Sequence, residues 1–172
     1  IRIKGAVTLP TQNVLVLQAA GGAGKIVLDD SAGVALRSGT GDLYFSAGMG
    51  GITANATNGV AEVVTADTIV FDTVGGIGTA TNRVEIGGAP AAVSVGANLM
   101  PQTAGVYLKS LGNMTLGTVN VGSVGFDIAA VGSISQSAQA LNIGGPAAFT
   151  AGTTITLDNT SNHFGNLVAL TT

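Results

Sequence analysis

Apolar residues fall along this chain in short bursts set apart by glycine, asparagine, aspartate, serine or threonine. VLVL at 14–17, KIVL at 25–28, VALR at 34–37 and LYF at 43–45 open the series. TIVF at 68–71, RVEI at 83–86, VYLK at 106–109, MTL at 114–116, LNI at 141–143 and TITL at 154–157 continue it. Many alternate apolar with small or polar side chains, the two-residue period of a strand with one buried face. The residues between them tolerate left-handed backbone or close tight side-chain turns. No stretch carries an apolar i, i+3, i+4, i+7 stripe of helical length. The pattern predicts an all-β chain. Alternation in VYLK and MTL turns Val106, Leu108, Met114 and Leu116 inward, and Tyr107, Lys109 and Thr115 outward.

The bursts also repeat one another. SAGVALRS at 31–38 returns as TAGVYLKS at 103–110, and VEIGGAPAAVSVG at 84–96 returns one residue shorter as LNIGGPAAFTAG at 141–152. Ile-x-Leu/Phe-Asp occurs at Ile26–Asp29, Ile69–Asp72 and Ile155–Asp158. The offsets share no exact divisor but suit a unit of roughly 19–24 residues with two or three short strands. A strand pair this short cannot bury its apolar face alone, and a single coil leaves both backbone edges unpaired. Stacking coil on coil, ~4.8 Å apart, meets both needs and lines up inward side chains as apolar ladders. Roughly eight coils of about 20 residues would make a rod near 40 Å long. A β-sandwich uses similar strands but does not require near-copies of its own sequence.

The segments GGIGTATNRVEI at 75–86, VYLKSLGNMTLGTVNV at 106–121 and ISQSAQALNIGGPAAFTAGTTITLDNTSNHFGNLVALTT at 134–172 resemble β-strand repeats of very large bacterial exoproteins. That group is filamentous haemagglutinin and its two-partner-secretion relatives. The resemblance implies a right-handed parallel β-helix, export to the cell surface, and a part in adhesion, biofilm or an extracellular fibre. The secretion domain that defines such proteins is not among these 172 residues.

Composition narrows the function. Hydrophobic residues make up 46% of the chain but charged ones only 9%, and glycine takes 27 positions. Six Lys+Arg against nine Asp+Glu leave a net charge of −3, too few cations for a nucleic-acid face. The absence of cysteine removes disulfides, thiol chemistry and zinc–cysteine sites. No apolar run reaches the ~18 residues of a spanning helix. The chain opens IRIKGAVTLP, without Met or a signal segment, and reads as a piece of a longer precursor.

Few motifs offer chemistry. GGAGKI at 21–26 lacks the earlier glycine of a phosphate loop, and Ile26 stands where Ser or Thr would meet magnesium, so Lys25 reads as a solvated corner residue. SGTGDL at 38–43 has the flavour of a calcium nonapeptide without its tandem repeat, leaving Asp29, Asp30 or Asp42 for at most an adventitious ion. A polysaccharide lyase or hydrolase needs converging carboxylates or a carboxylate with a cation. Asp67, Asp72, Asp127 and Asp158 sit singly at strand ends, and Arg37, Arg83 and Lys109 stand among small residues. Stacking would bring Asp72 near Asp29 or Asp158 if they share a repeat position. His163, in TSNHFGN, reads as a surface loop residue, and the sequons at Asn55, Asn113 and Asn159 read as corner composition. Outward Thr115, Thr154 and Thr156 suggest a flat hydroxyl face for ice or carbohydrate, with one clear Thr-x-Thr pair.

The expected function is structural: a segment of a secreted, surface-displayed adhesin or extracellular filament, with no cofactor, catalytic group or metal. The alternative is a polysaccharide-acting β-helix enzyme. The residues expected to carry the rod are the core ladder Leu36, Phe45, Phe71, Ile86, Leu108, Leu116, Ile143, Phe149, Ile155 and Leu157. NLVALTT at the end and IRIKGAVTL at the start both read as uncapped strands. The expected partners are adjoining repeats of the same chain or identical copies stacked head-to-tail into a fibre. Host or matrix glycans are the ligand class this reading admits; nucleic acid and a membrane span are not expected.

Overall fold

The computed structural model describes residues 1–4, 7–9, 14–19, 21–31, 33, 35–65, 67–96 and 102–172. These residues hold nineteen strands and no helix. The first three turns each contribute three strands: β1 (Arg2–Lys4), β2 (Val7–Thr8) and β3 (Leu15–Ala19); β4 (Lys25–Asp29), β5 (Leu36–Arg37) and β6 (Leu43–Ala47); β7 (Gly51–Ala54), β8 (Val63–Thr65) and β9 (Thr68–Thr73). Then come β10 (Val84–Gly88), β11 (Ala92–Val95), β12 (Val106–Ser110), β13 (Met114–Val121), β14 (Phe126–Ala130), β15 (Ile134–Gln136) and β16 (Leu141–Ile143). β17 (Ala147–Ala151), β18 (His163–Phe164) and β19 (Val168–Thr171) complete the order.

Every pairing is parallel, and each strand meets its equivalent one turn on. One eight-stranded sheet runs β2-β5-β8-β10-β12-β14-β17-β19, another runs β3-β6-β9-β11-β13-β16-β18, with β15 pairing β13 beside it. A three-stranded sheet, β1-β4-β7, closes the third side of the early turns. This is a parallel β-solenoid. The first turns are longer than the coil of roughly 19–24 residues expected from the sequence, and the later ones fall within it. Val7 pairs with Leu36, a step of 29 along the chain, and Leu15 with Leu43, a step of 28. Val84 pairs with Leu108, a step of 24, but Val106 with Phe126 at 20 and Ala147 with Val168 at 21. Eight strands make seven steps, so the long sheet spans about 34 Å rather than 40.

The sides change identity part-way. The three-stranded side continues through single bridges, Ile52 to Ile77 and Ile77 to Val106, and merges into the long sheet at β12. The opposite sheet splits at the eight-residue β13, whose first half pairs β15 and whose second half pairs β16. A shift in register between Val93 and Val95 against β13 absorbs the change. The turns remain three-sided, but the corners move. Corners stack so closely that a side chain does not fit: Gly51, at φ 68, lies where a Cβ would come 2.4 Å from the Gly76 carbonyl oxygen.

Inward positions form one apolar column. Leu36, Phe45, Phe71, Ile86, Leu108, Leu116, Ile143 and Phe149 are all buried in it. Ile155 and Leu157 are half-buried against it, because the strand around them is reduced to a bridge between Ile155 and Ile134. Val106 and Met114 are buried, while Tyr107, Lys109 and Thr115 are only half-buried. Phe45 stacks on Phe71 from the next turn at 5.1 Å, and Phe149 meets Phe126 and Phe164 edge-to-face at 5.8 and 6.3 Å.

Candidate functional site

The repeated Ile-x-Leu/Phe-Asp motif does not gather its aspartates. Asp29 ends β4 in the three-stranded sheet, Asp72 lies in β9 of an eight-stranded sheet, and exposed Asp158 follows Leu157 outside any strand. The motif has no fixed place in the coil, so equal sequence falls on different sides. Ser31 donates to Asp29 from its hydroxyl and, at 3.1 Å, from its backbone N–H, and the Arg2 guanidinium donates as well. Together they hold the Asp29 carboxyl down at about 2. Asp42 and Asp67 both accept the Thr68 N–H, at 3.2 and 2.9 Å, and so close corners.

The cations are not isolated, as the sequence suggested for Arg83 and Lys109. Arg83 pairs with Asp127 at 2.6 Å and donates to the carbonyls of Leu108 and Asp127. Lys109 pairs with Glu85 at 2.7 Å. Stacking supplies partners that lie 24 and 44 residues away in the chain. Arg37 is exposed, at a shallow groove formed with Leu9, Val64 and Thr65. Lys25 is exposed at the start of β4, after a tight turn in which the Gly24 N–H donates to the Gly21 carbonyl.

His163 is exposed but not in a loop. It lies in β18, in register with Asn142, whose amide donates to Asn120 on the turn before at 3.1 Å. The three sequon asparagines serve corners: Asn55 accepts the Asp30 N–H, Asn113 accepts the Ser133 N–H, and Asn159 accepts the Ser161 N–H. The hydroxyl face is larger than one Thr-x-Thr pair. Thr115 meets Ser135 at 3.2 Å, and Ser133 meets Thr153 and Thr154 at 2.8 and 3.0 Å. On the neighbouring side Tyr107, Asp127, Pro146 and exposed Leu167 line a groove of about 300 Å³.

The densest polar cluster centres on two residues the motifs passed over. Glu62 and Glu85 are the chain's only glutamates, and both are fully buried. Val63 pairs with Ile86, so the two glutamates are neighbours on successive turns. They alternate with buried Val63, Val84 and Ile86, which puts them on the outer side of the strands. Backbone N–H groups of Asn58 and Gly59 donate to Glu85 Oε2 at 2.7 and 2.8 Å, and Lys109 holds Oε1. The Glu85 N–H in turn donates to Glu62 Oε2. Burial, with the charges of Asp30 and Glu85, pushes the Glu62 carboxyl up to about 8. The signal in the sequence was a lone pair of glutamates, one coil length apart and each next to a valine. Among the described residues no three His, Asp or Glu side chains are grouped to hold a metal ion.

A family described as repeats of unknown function (DUF5649) matches residues 102–171, the segment of the shorter turns. No curated protein and no solved structure matches the chain.

Proposed function

We propose that the chain is a structural segment of a secreted, surface-displayed bacterial adhesin or extracellular filament. The observation that carries this reading is the pair of long parallel sheets wound around one apolar column, with a mostly small, uncharged outer surface. Such a body transmits load through hydrogen-bond ladders and lengthens by about 4.8 Å for every coil added, which suits a spacer. The hydroxyl face and the Tyr107 groove are the surfaces that a host or matrix glycan would meet. The partners proposed with this reading are adjoining repeats of the same chain or identical copies, joined by the parallel strand pairing that already links every turn to the next.

Immunogold labelling of producing bacteria tests this reading. Label on the cell surface or on extracellular fibres supports it, and label confined to the cell interior overturns it. The alternative, a polysaccharide lyase or hydrolase, gains no support from carboxylates already committed to Arg2, Arg83 and Lys109. Release of reducing or unsaturated ends from a polysaccharide panel would restore it.

A further inference from the structure

The segment that joins β7 to β8 carries the chain's one Asn-Gly step: of all the asparagines, only Asn58 precedes a glycine. Asn58, Gly59 and Val60 are exposed to water. Gly59 is in the left-handed region at φ 83, with no heavy atom within 4 Å of where a Cβ would stand. The step nevertheless rests on a buried carboxylate. The Gly59 N–H donates to Glu85 Oε2 at 2.8 Å, and the Asn58 N–H donates to the same oxygen at 2.7 Å. Glu85 is fully buried, and Lys109 holds its other oxygen. The Asn58 side-chain carbonyl accepts the Val60 N–H at 2.8 Å.

These contacts favour one reaction. Asn58 Cγ is linked to the Gly59 nitrogen through Cβ, Cα and the carbonyl carbon alone, so a bond between them closes a succinimide ring. Glycine leaves that approach unobstructed. A carboxylate on the N–H draws its proton away as the nitrogen attacks. A backbone N–H on Oδ1 stabilises the negative charge that gathers there. Asn159 provides the contrast: its Oδ1 accepts the Ser161 N–H at 2.9 Å in the same local turn, but β-branched Thr160 follows it. We propose that Asn58–Gly59 is a self-modifying site, at which Glu85 serves as the base for loss of the Asn58 amide. The Gly59 nitrogen bonds to Asn58 Cγ as its proton passes to Glu85 Oε2. The Cγ–Nδ2 bond then breaks, and that proton leaves with Nδ2 as ammonia. Solvent water opens the succinimide at either carbonyl and leaves aspartate or isoaspartate at position 58. The isoaspartate product inserts a methylene between the two N–H groups that cap Glu85, so the mark also loosens this corner. The site is independent of whatever the outer surface binds.

Timed incubation of the folded protein near neutral pH, followed by peptide mass mapping, tests the proposal. The expected result is loss of the amide at position 58 through a species lighter by one ammonia, while Asn159 keeps its amide. The folded chain should react about tenfold or more faster than a synthetic peptide of residues 55–61, and Glu85→Gln should slow it about a hundredfold. Should Glu85→Gln fail to fold, the pH profile decides. In the peptide the rate rises in proportion to hydroxide. In the folded chain it levels off, because Glu85, flanked by Lys109 from β12 and by Glu62 before β8, replaces hydroxide as the base. A folded chain no faster than the peptide, a Glu85→Gln rate equal to the wild type's, or a folded-chain profile that tracks hydroxide overturns the proposal.

Discussion

The turns before Gly96 and those after Gln102 solve the same packing problem with different materials. The early turns advance the chain by 23 (Val63 to Ile86) up to 29 (Val7 to Leu36). The late ones advance it by 20 (Val106 to Phe126) to 22 (Val119 to Leu141). The buried charged groups Asp29, Asp30, Glu62, Asp72 and Glu85 all lie in the early turns. From Gln102 onward the buried polar residues are Gln102 and Ser110, and the outer rows are hydroxyls and amides bonded coil to coil. A longer perimeter leaves chain to spare at the corners. That spare chain folds over the outer side of a strand and can enclose a carboxylate, as residues 55–60 enclose Glu85. The shorter late coil has none to spare, so its outward residues stay in water and carry little charge. Coil length, more than core composition, decides where ionisable groups are buried.

The comparison breaks most sharply in the core. Leu116→Asp places an unpaired charge in a dry column at β13, where the two kinds of turn meet, and is expected to unfold the chain by several kcal/mol. Protease resistance equal to the parent's would contradict it. Phe149→Ala in the late turns removes the ring between Phe126 and Phe164 and should cost about 3–5 kcal/mol in urea unfolding. Lys109→Met leaves Glu85 with its two N–H donors but no cation; because Lys109 is 27% exposed, about 1–3 kcal/mol is expected. Glu85→Gln in the same background should recover part of that loss, and a double variant no better than the single would contradict the pairing.

Proton linkage sharpens the same contrast. Asp29, held down at about 2 against an ordinary 3.8, stabilises the fold above about 3.8 and loses that contribution as the pH falls towards 2. Glu62 acts oppositely between about 4.5 and 8. Both lie in the early turns, so fluorescence from a tryptophan placed at Tyr44 should report pH-dependent loosening that one at Tyr107 does not. Identical profiles at the two sites would contradict a linkage confined to the early turns. The smallest effect belongs to the hydroxyl rows: Thr115→Ala should change stability by no more than about 0.5 kcal/mol, since its partner Ser135 can turn to water.

The strands and their inward faces were legible because alternation is local: VYLK and MTL bury the residues their two-residue period selects. The expected coil of roughly 19–24 residues holds for the later turns, but the longer first turns were not legible, since length there depends on which burst pairs with which, and similar bursts occupy different sides. VEIGG at 84–88 lies in β10 of the long sheet, while its near-copy LNI lies in β16 of the opposite one. SAGVALRS and TAGVYLKS share a sheet but sit out of step, because Leu36 stacks through Val63 and Ile86 onto Ser110 and not Leu108. The carboxylate corner escaped notice for a related reason. Glu62 and Glu85 lie a full turn apart in the chain, and only the pairing of Val63 with Ile86 makes them neighbours.

One solenoid changes its coil length along the chain, and engineered disulfides in this cysteine-free protein test that change directly. Strands ~4.8 Å apart in parallel register place outward Cα atoms within disulfide reach. Val16→Cys with Tyr44→Cys, across a long turn, and Ala148→Cys with Ala169→Cys, across a short one, should each form an intramolecular bond under mild oxidation. The pairs Val16 with Thr40 and Ala148 with Thr172, both spaced for one uniform coil, should remain reduced. Bonding in the uniform pairs, or in neither set, would contradict the account.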